Sequence, residues 1–227
     1  MRLIFTMFDF LNYIENEIIS LLGDNVDIAD FLVGEIKIYR QYWQKYQCDR
    51  TRSPLYTSDT HLYETHEFHL HNGGIVTISW DIEVLYSYAK KYNIPISHYS
   101  LNNFNLLLKQ DLLNSADEFK RISNIVKHPY NHAYDTLLII DFKPLSCCLF
   151  LDGRHRYIEY TKFNPNSAIP FYLLNDELCM TAILTKSELV TYIILHNISV
   201  INNFIMGKSD LSSIINLSRC LEPNYPK

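Results

Sequence analysis

The sequence predicts an α/β (α+β) chain. It has a small mixed-sheet core, N-terminal helices with a β-hairpin ahead of it, and a helical cap behind it. Three observations carry this reading. Apolar residues recur at helical spacing near both ends of the chain. β-rich runs flank an Asn72-Gly73 pair. Between residues 136 and 174, an apolar run, a glycine, a helical stretch and a second apolar run follow one another, the pattern of strand, turn, helix and strand.

The elements follow in order. Phe8, Leu11, Ile14, Ile18, Leu21 and Leu22 have the spacing of one helical face, and Gly23 is a stop signal. Residues 27–47 give a second helix, with Phe31, Leu32, Ile36, Tyr39 and Trp43 as its apolar side. Residues 47–58 are polar, contain Pro54 and read as a loop. Residues 61–81 read as a hairpin turning at Asn72-Gly73. Asp81 is a cap for a helix running to about Lys91. Ile94-Pro95-Ile96-Ser97 gives a short strand. Residues 102–128 are helical, with a break near Asn114-Ser115 where Ser115 or Asp117 can cap the next helix. Residues 135–141 give a strand, 149–152 another, 157–163 a helix and 169–174 a third strand. Lys186 to Met206 and Asp210 to Cys220 are read as C-terminal helices separated at Gly207.

Composition narrows the function classes. The chain has 227 residues, 48% of them apolar and 20% charged, which is globular usage. Its net charge of −5 and the lack of a basic run argue against a general nucleic-acid surface, so DNA is not the expected partner. The apolar window 189–206 contains Thr191, His196, Asn197, Ser199, Asn202 and Asn203, too many polar groups for a membrane span. No signal peptide is read at the N-terminus. Five cysteines, an odd number without Cys-x-x-Cys spacing, fit reduced thiols in a cytoplasmic protein. Cys147 and Cys148 are expected in or beside a strand as small buried hydrophobes on opposite faces.

The chemistry concentrates at Asp152-Gly153-Arg154-His155-Arg156. A glycine lets the backbone turn sharply from strand to helix. The first N–H groups of a helix have no intrahelical partner and attract anions. Arginine adds a planar fork that fits phosphate oxygens. Together these suit a phosphate site built from Gly153, Arg154, His155 and Arg156. Asp152, at the end of the strand, is the candidate Mg²⁺ ligand or general base, or else a helix cap. The alternative for the arginines is a pair of solvated helix-start residues with His155 packed against a neighbour. His128, in the run 128–134, could hydrogen-bond a phosphate from a loop, and Lys120 and Arg121 could reach one from the preceding helix. His61, His66, His69 and His71 form a histidine cluster, with Glu67 beside it; packed or exposed histidines are the simpler reading than zinc.

The run Asp152-Gly153-Arg154-His155-Arg156-Tyr157, with the flanking 135–141 and 169–174 strands, resembles the signature of the ParB/sulfiredoxin-like superfamily. Sulfiredoxins have Gly-Cys-His-Arg there, ParB proteins Gly-Glu-Arg-Arg, and related free-serine kinases Asp-Gly-His-His-Arg. The resemblance spans roughly residues 94–176. It implies three regions: 1–93 as helices and hairpin, 94–176 as a nucleotide-binding core, and 177–227 as a helical extension. It implies ATP or another nucleotide, with Mg²⁺, held at Gly153, Arg154, His155 and Arg156, and phosphoryl transfer or nucleotide hydrolysis with Asp152 and His155 as catalytic groups. The partner would be the nucleotide and a small-molecule or protein acceptor. Two departures matter. Arg154 stands at the sulfiredoxin cysteine position, so thiol chemistry does not follow. The ParB Glu-Asn-x-x-Arg motif is not found downstream. The alternative is a non-catalytic nucleotide-sensing or protein-interaction module, such as a regulator or mobile-element accessory protein. A ParB-like nuclease is a third reading, disfavoured by the acidic balance.

Overall fold

A strand that is apolar at nearly every position needs two buried faces, and Leu137–Phe142, buried at five of its six positions, has both. The computed structural model describes residues 11–12, 15–16, 26–49, 62–69, 75–129, 134–214 and 217. Among these the chain is an α+β protein. Its elements are α1 (Val26–Tyr46), β1 (Tyr63–His69), β2 (Ile75–Asp81), α2 (Ile82–Lys91), β3 (Ile96–Tyr99), α3 (Leu101–Leu107), α4 (Lys109–Asn114), α5 (Ala116–Ile125), β4 (Leu137–Phe142), β5 (Cys147–Asp152), α6 (Arg154–Phe163), β6 (Ile169–Leu174), α7 (Asp176–Thr181) and α8 (Lys186–Ile205). Short 3-10 turns cover Lys143–Leu145 and Leu211–Ser213.

The chain divides into two compact units that do not follow chain order. The first comprises 1–59, 65–80 and 183–227, and the second 60–64 and 81–182. The expected core at 94–176 lies within the second unit, which also takes 60–64, 81–93 and 177–182. The expected N-terminal and C-terminal regions largely share the first unit, because α1 packs against α8.

In the first unit, Leu32, Ile36 and Tyr39 of α1 are fully buried at the spacing of one helical face. α8 is buried nearly all round, including Ser187, Thr191 and Asn197. Those polar groups are hydrogen-bonded, Ser187 Oγ donating to the Gln47 carbonyl at 3.2 Å. Thr191 Oγ1 donates to the Ser187 carbonyl at 2.9 Å, and Asn197 Nδ2 to the Leu217 carbonyl at 3.0 Å. Among the described residues no helix is long and apolar enough to cross a membrane. A Thr185–Glu188 capping box starts α8. β1 and β2 pair in a two-stranded sheet, as the hairpin reading of 61–81 requires; the turn at 72–73 lies outside the described residues. So does most of the predicted helix over 8–22. Of the helix expected over 210–220, the described residues show the 3-10 turn at Leu211–Ser213, and 215–216 and 218–220 lie outside them.

The second unit is a four-stranded sheet of order β3-β6-β4-β5 with helices on both faces. β4 and β5 are antiparallel, β4 and β6 parallel, and β3 and β6 antiparallel. Leu137, Ile139, Phe150, Ile169 and Phe171 point to one face. There they pack with Phe104, Phe119, Ile122, Tyr157 and Ile158 from α3, α5 and α6. Alternate residues, among them Leu138, Ile140, Phe142, Leu149, Leu151 and Leu174, are also buried. α7 lies against β4, and Tyr86 of α2 meets the Tyr172 ring edge-on at 6.3 Å. Each large apolar side chain so buried contributes about 1.5–3 kcal/mol.

Two local expectations are corrected. The strand predicted over 94–97 runs over Ile96–Tyr99, two residues later, after the bulky turn closed by Asn93 at φ +51°. Ser115 occupies the N-cap position of α5 but its side chain makes no capping bond; its hydroxyl lies 3.5 Å from Asp111 Oδ1 instead. Asp81 does cap α2, its Oδ1 accepting from Val84 N at 3.0 Å.

Candidate functional site

The β5–α6 junction is built on one glycine. Gly153 sits at φ +106°, in the left-handed region. A Cβ there would lie 2.4 Å from Leu137 Cδ2 and 3.1 Å from Arg156 Nη2. Only glycine fits both the dihedral and the space. α6 then starts immediately at Arg154, three residues earlier than periodicity suggests. Its N-terminus has no side-chain cap, and the first backbone bond of the helix runs from Tyr157 N to the Gly153 carbonyl at 2.8 Å. The amides of Arg154, His155 and Arg156 therefore form the unbonded first turn.

The motif side chains are arranged differently from both sequence readings. The arginines are not solvated: Arg154 is 8% exposed and Arg156 6%. His155, between them, is exposed rather than packed. Successive helix residues are about 100° apart, so Arg154 and Arg156 leave nearly opposite sides of the helix and reach different buried groups, while His155 between them faces out.

Arg156 lies in a polar cluster under the glycine. Its Nη2 is 2.5 Å from Asp152 Oδ2 and 3.1 Å from the Tyr86 hydroxyl, and its Nη1 donates to the Tyr134 carbonyl. The Tyr86 hydroxyl lies within hydrogen-bond distance of both the Thr136 carbonyl (2.6 Å) and Asp152 Oδ2 (2.9 Å). Burial, then the charge of Asp152, pushes the Tyr86 phenol well above its usual range, so it stays a neutral donor. The Tyr134 ring stacks on Tyr86 at 3.8 Å, with Lys90 Nζ 5.8 Å from the Tyr134 centroid.

Arg154 turns to another cluster. Its Nη1 pairs with Glu64 of β1, its Nε is 3.8 Å from Glu118 of α5, and its Nη2 donates to the Phe150 carbonyl at 3.3 Å. Next to it, Asp111 of α4 is 3% exposed and accepts the Phe150 N–H at 3.0 Å. β5 is an edge strand, so Asp111 closes that edge at Phe150. Burial raises the carboxyls of both Glu64 and Asp111, against the pull of Arg154. Sequence reasoning missed Glu64, Tyr86 and Asp111. No local pattern marks them, because each reaches the motif only through tertiary packing.

Asp152 is the expected metal ligand, but its Oδ2 already faces a guanidinium and a phenol. That pairing makes Asp152 a counter-ion for Arg156 and leaves Oδ1 as the oxygen that could meet a cation; among the described residues no group of three His, Cys, Asp or Glu surrounds it. Lys120, Arg121 and His128 are exposed on or just after α5, with no hydrogen bond or ion pair to Asp152 or to either arginine. In the histidine cluster, His66 is packed between Phe68 (6.2 Å, stacked) and Trp80 (5.8 Å, edge-on), His69 and Glu67 are exposed, and His61 and His71 lie outside the described residues.

Comparison with protein-family models, with curated proteins and with solved structures finds no match for this chain.

Proposed function

We propose that this chain is a nucleotide-binding module of ParB/sulfiredoxin-like type that takes phosphate oxygens at the start of α6 and acts by binding rather than by turnover. The observation that carries the reading is the uncapped first turn of α6 behind Gly153. Three backbone amides there lack intrahelical partners, and the helix dipole favours an anion beside them. His155 is the exposed motif side chain that can add a hydrogen bond to such an anion. Arg156 serves the site from below, bracing the junction rather than meeting the ligand.

The binding reading stands above phosphoryl transfer or hydrolysis because Asp152 is engaged. A general base or metal ligand needs a free lone pair, and of the two Asp152 oxygens the ion pair leaves only Oδ1 for that. The nearest polar contacts of Asp152 Oδ2 are Arg156 and Tyr86.

The test is calorimetric titration of the chain with ATP, ADP, CTP and GTP, with and without Mg²⁺, beside a phosphate-release assay. His155→Glu places a negative charge at the exposed first turn without touching the core. The expected result is nucleotide binding weakened by about tenfold or more in that variant, roughly the weight of 1.4 kcal/mol, with no phosphate release. Absence of binding for every nucleotide would overturn the reading. Phosphate release abolished by Asp152→Asn would replace it with the catalytic one.

A further inference from the structure

The two edges of the four-stranded sheet are finished differently. At one edge α4 packs beside β5, and the buried Asp111 carboxylate accepts the Phe150 N–H at 3.0 Å. At the other edge β3 is bonded to β6 on its inner side, and among the described residues no strand pairs with its outer side. Three of its four residues are exposed, Ile96 at 43% and Tyr99 at 39%. An antiparallel edge strand turns alternate N–H and C=O groups outward, where they can accept another strand. The common guards of such an edge are missing from β3: it carries no lysine and no acid, and no bulge interrupts its register with β6. Pro95 ahead of it and its own brevity limit an added strand to a short one. The Tyr99 ring is braced edge-on against Phe171, centroids 5.0 Å apart, so it offers a fixed aromatic surface.

Charge decides what fits there. Residues 84–110 contain Lys90, Lys91 and Lys109 and no aspartate or glutamate, in a chain whose net charge is −5. Lys90 and Lys91 close α2, Lys109 opens α4, and all three are exposed. The Lys91 ammonium lies 5.6 and 5.4 Å from the Tyr88 and Tyr92 ring centroids, which holds it at the surface ahead of β3. We propose that the outer edge of β3 binds an extended acidic peptide segment of a partner protein, added to the sheet as a fifth strand. Main-chain hydrogen bonds hold the segment. Apolar side chains at alternate positions pack beside Ile96 or Tyr99, and flanking Asp and Glu residues meet the lysines. A second copy of the chain fits less well. It brings the same lysines, and a four-residue strand buries far less than the roughly 800 Å² per partner of a stable interface. A nucleic-acid strand has no amide ladder to complete the edge.

The probe is a fluorescein-labelled peptide with alternating valine and threonine at its centre and aspartates at both ends. It is titrated into the full chain and followed by anisotropy. Three controls share its length: the same centre flanked by lysines, the acidic peptide N-methylated at every central amide, and a thymidine oligonucleotide. The acidic peptide is expected to bind, and the other three at least about tenfold more weakly. Lys90→Glu with Lys91→Glu should weaken the acidic peptide by about tenfold and bring the lysine-flanked one up. Ile96→Asp, at an exposed position, should weaken the acidic peptide by a similar factor, with folding of each variant checked by circular dichroism. Hydrogen exchange over 96–99 should slow in the complex. Equal binding of the N-methylated peptide, or no exchange protection over 96–99, would overturn strand addition. An oligonucleotide bound as tightly as the peptide would make this a general polyanion surface and overturn the peptide reading. A wild-type dimer in sedimentation that Ile96→Asp dissociates would assign the edge to a second copy instead. No binding of the acidic peptide at millimolar concentration would overturn the proposal outright.

Discussion

Arg156 Nη2 lies 2.5 Å from Asp152 Oδ2, an ion pair that spans the strand-to-helix turn from the last residue of β5 to the first turn of α6. The pair closes over Gly153 and recruits Tyr86 and the carbonyl of Tyr134. A guanidinium at 6% exposure must keep its partners, since an orphaned buried charge costs about 3–5 kcal/mol. Asp152 is partly exposed, so water offsets some of that loss. Arg156→Ala is expected to destabilise the chain by about 2–4 kcal/mol, and Asp152→Asn by less, because the amide oxygen still accepts. Urea denaturation of both variants checks the order. Equal and negligible losses would show the cluster to be dispensable.

Gly153 is the other half of the same turn. Gly153→Ala places a methyl group where Leu137 Cδ2 stands and forces a left-handed backbone on an L-residue. The dihedral alone costs about 1–2 kcal/mol, and the clash with a fully buried leucine adds about 1–3 kcal/mol. Gly153→Ala with Leu137→Ala should recover part of the overlap loss and none of the dihedral loss. Thermal unfolding of the single and double variants separates the two. Full recovery in the double variant would mean that the backbone there is not strained.

Much of this architecture was legible in the sequence, and the reason is local chemistry. Asp81 caps α2, residues 169–174 form a strand, and α8 starts at Lys186, all from short-range pattern. α7 was missed although Asn175 caps it through Leu178 N at 3.1 Å; six residues are too few to show a period. The turn from strand to helix at Gly153 was legible, but not the direction of the side chains beside it. Whether Arg154 faces a ligand or Glu64 depends on a residue ninety positions earlier, and no local spacing encodes that. Likewise Asp111, in a helix read as ordinary, proved to be the group that meets the edge of β5.

The four described thiols should differ sharply in reactivity. Cys147 and Cys148 are half-buried, and burial pushes each thiol up to about 11; Cys179 is fully buried and pushed well above its usual range. The thiolate is the nucleophile, so all three are expected to be slow at neutral pH. Cys48 is exposed. Iodoacetamide labelling of the native chain, followed peptide by peptide by mass spectrometry, should modify Cys48 before the other three. Rapid labelling of Cys147 or Cys148 would instead mark that strand end as opening in solution.

Glu64 and Asp111 give the fold a pH dependence whose sign follows from their burial. Both carboxyls are raised in the folded chain, with desolvation as the largest cause. A raised acid binds its proton more tightly folded than unfolded. Its contribution is therefore fully present below the ordinary carboxylate range and is lost as pH rises through the raised folded value. The two sites should make the chain more stable as pH falls from neutrality toward the ordinary carboxylate range, until the protonation of other, paired carboxylates reverses the trend. Asp111→Asn keeps an acceptor for the Phe150 N–H and removes the buried charge. It is expected to flatten the rise and to lift the melting temperature most at the upper end of that range. Melting curves across the range test this directly. An Asp111→Asn profile parallel to wild type would mean that Asp111 is already neutral at the upper pH, with Glu64 left as the source of the slope.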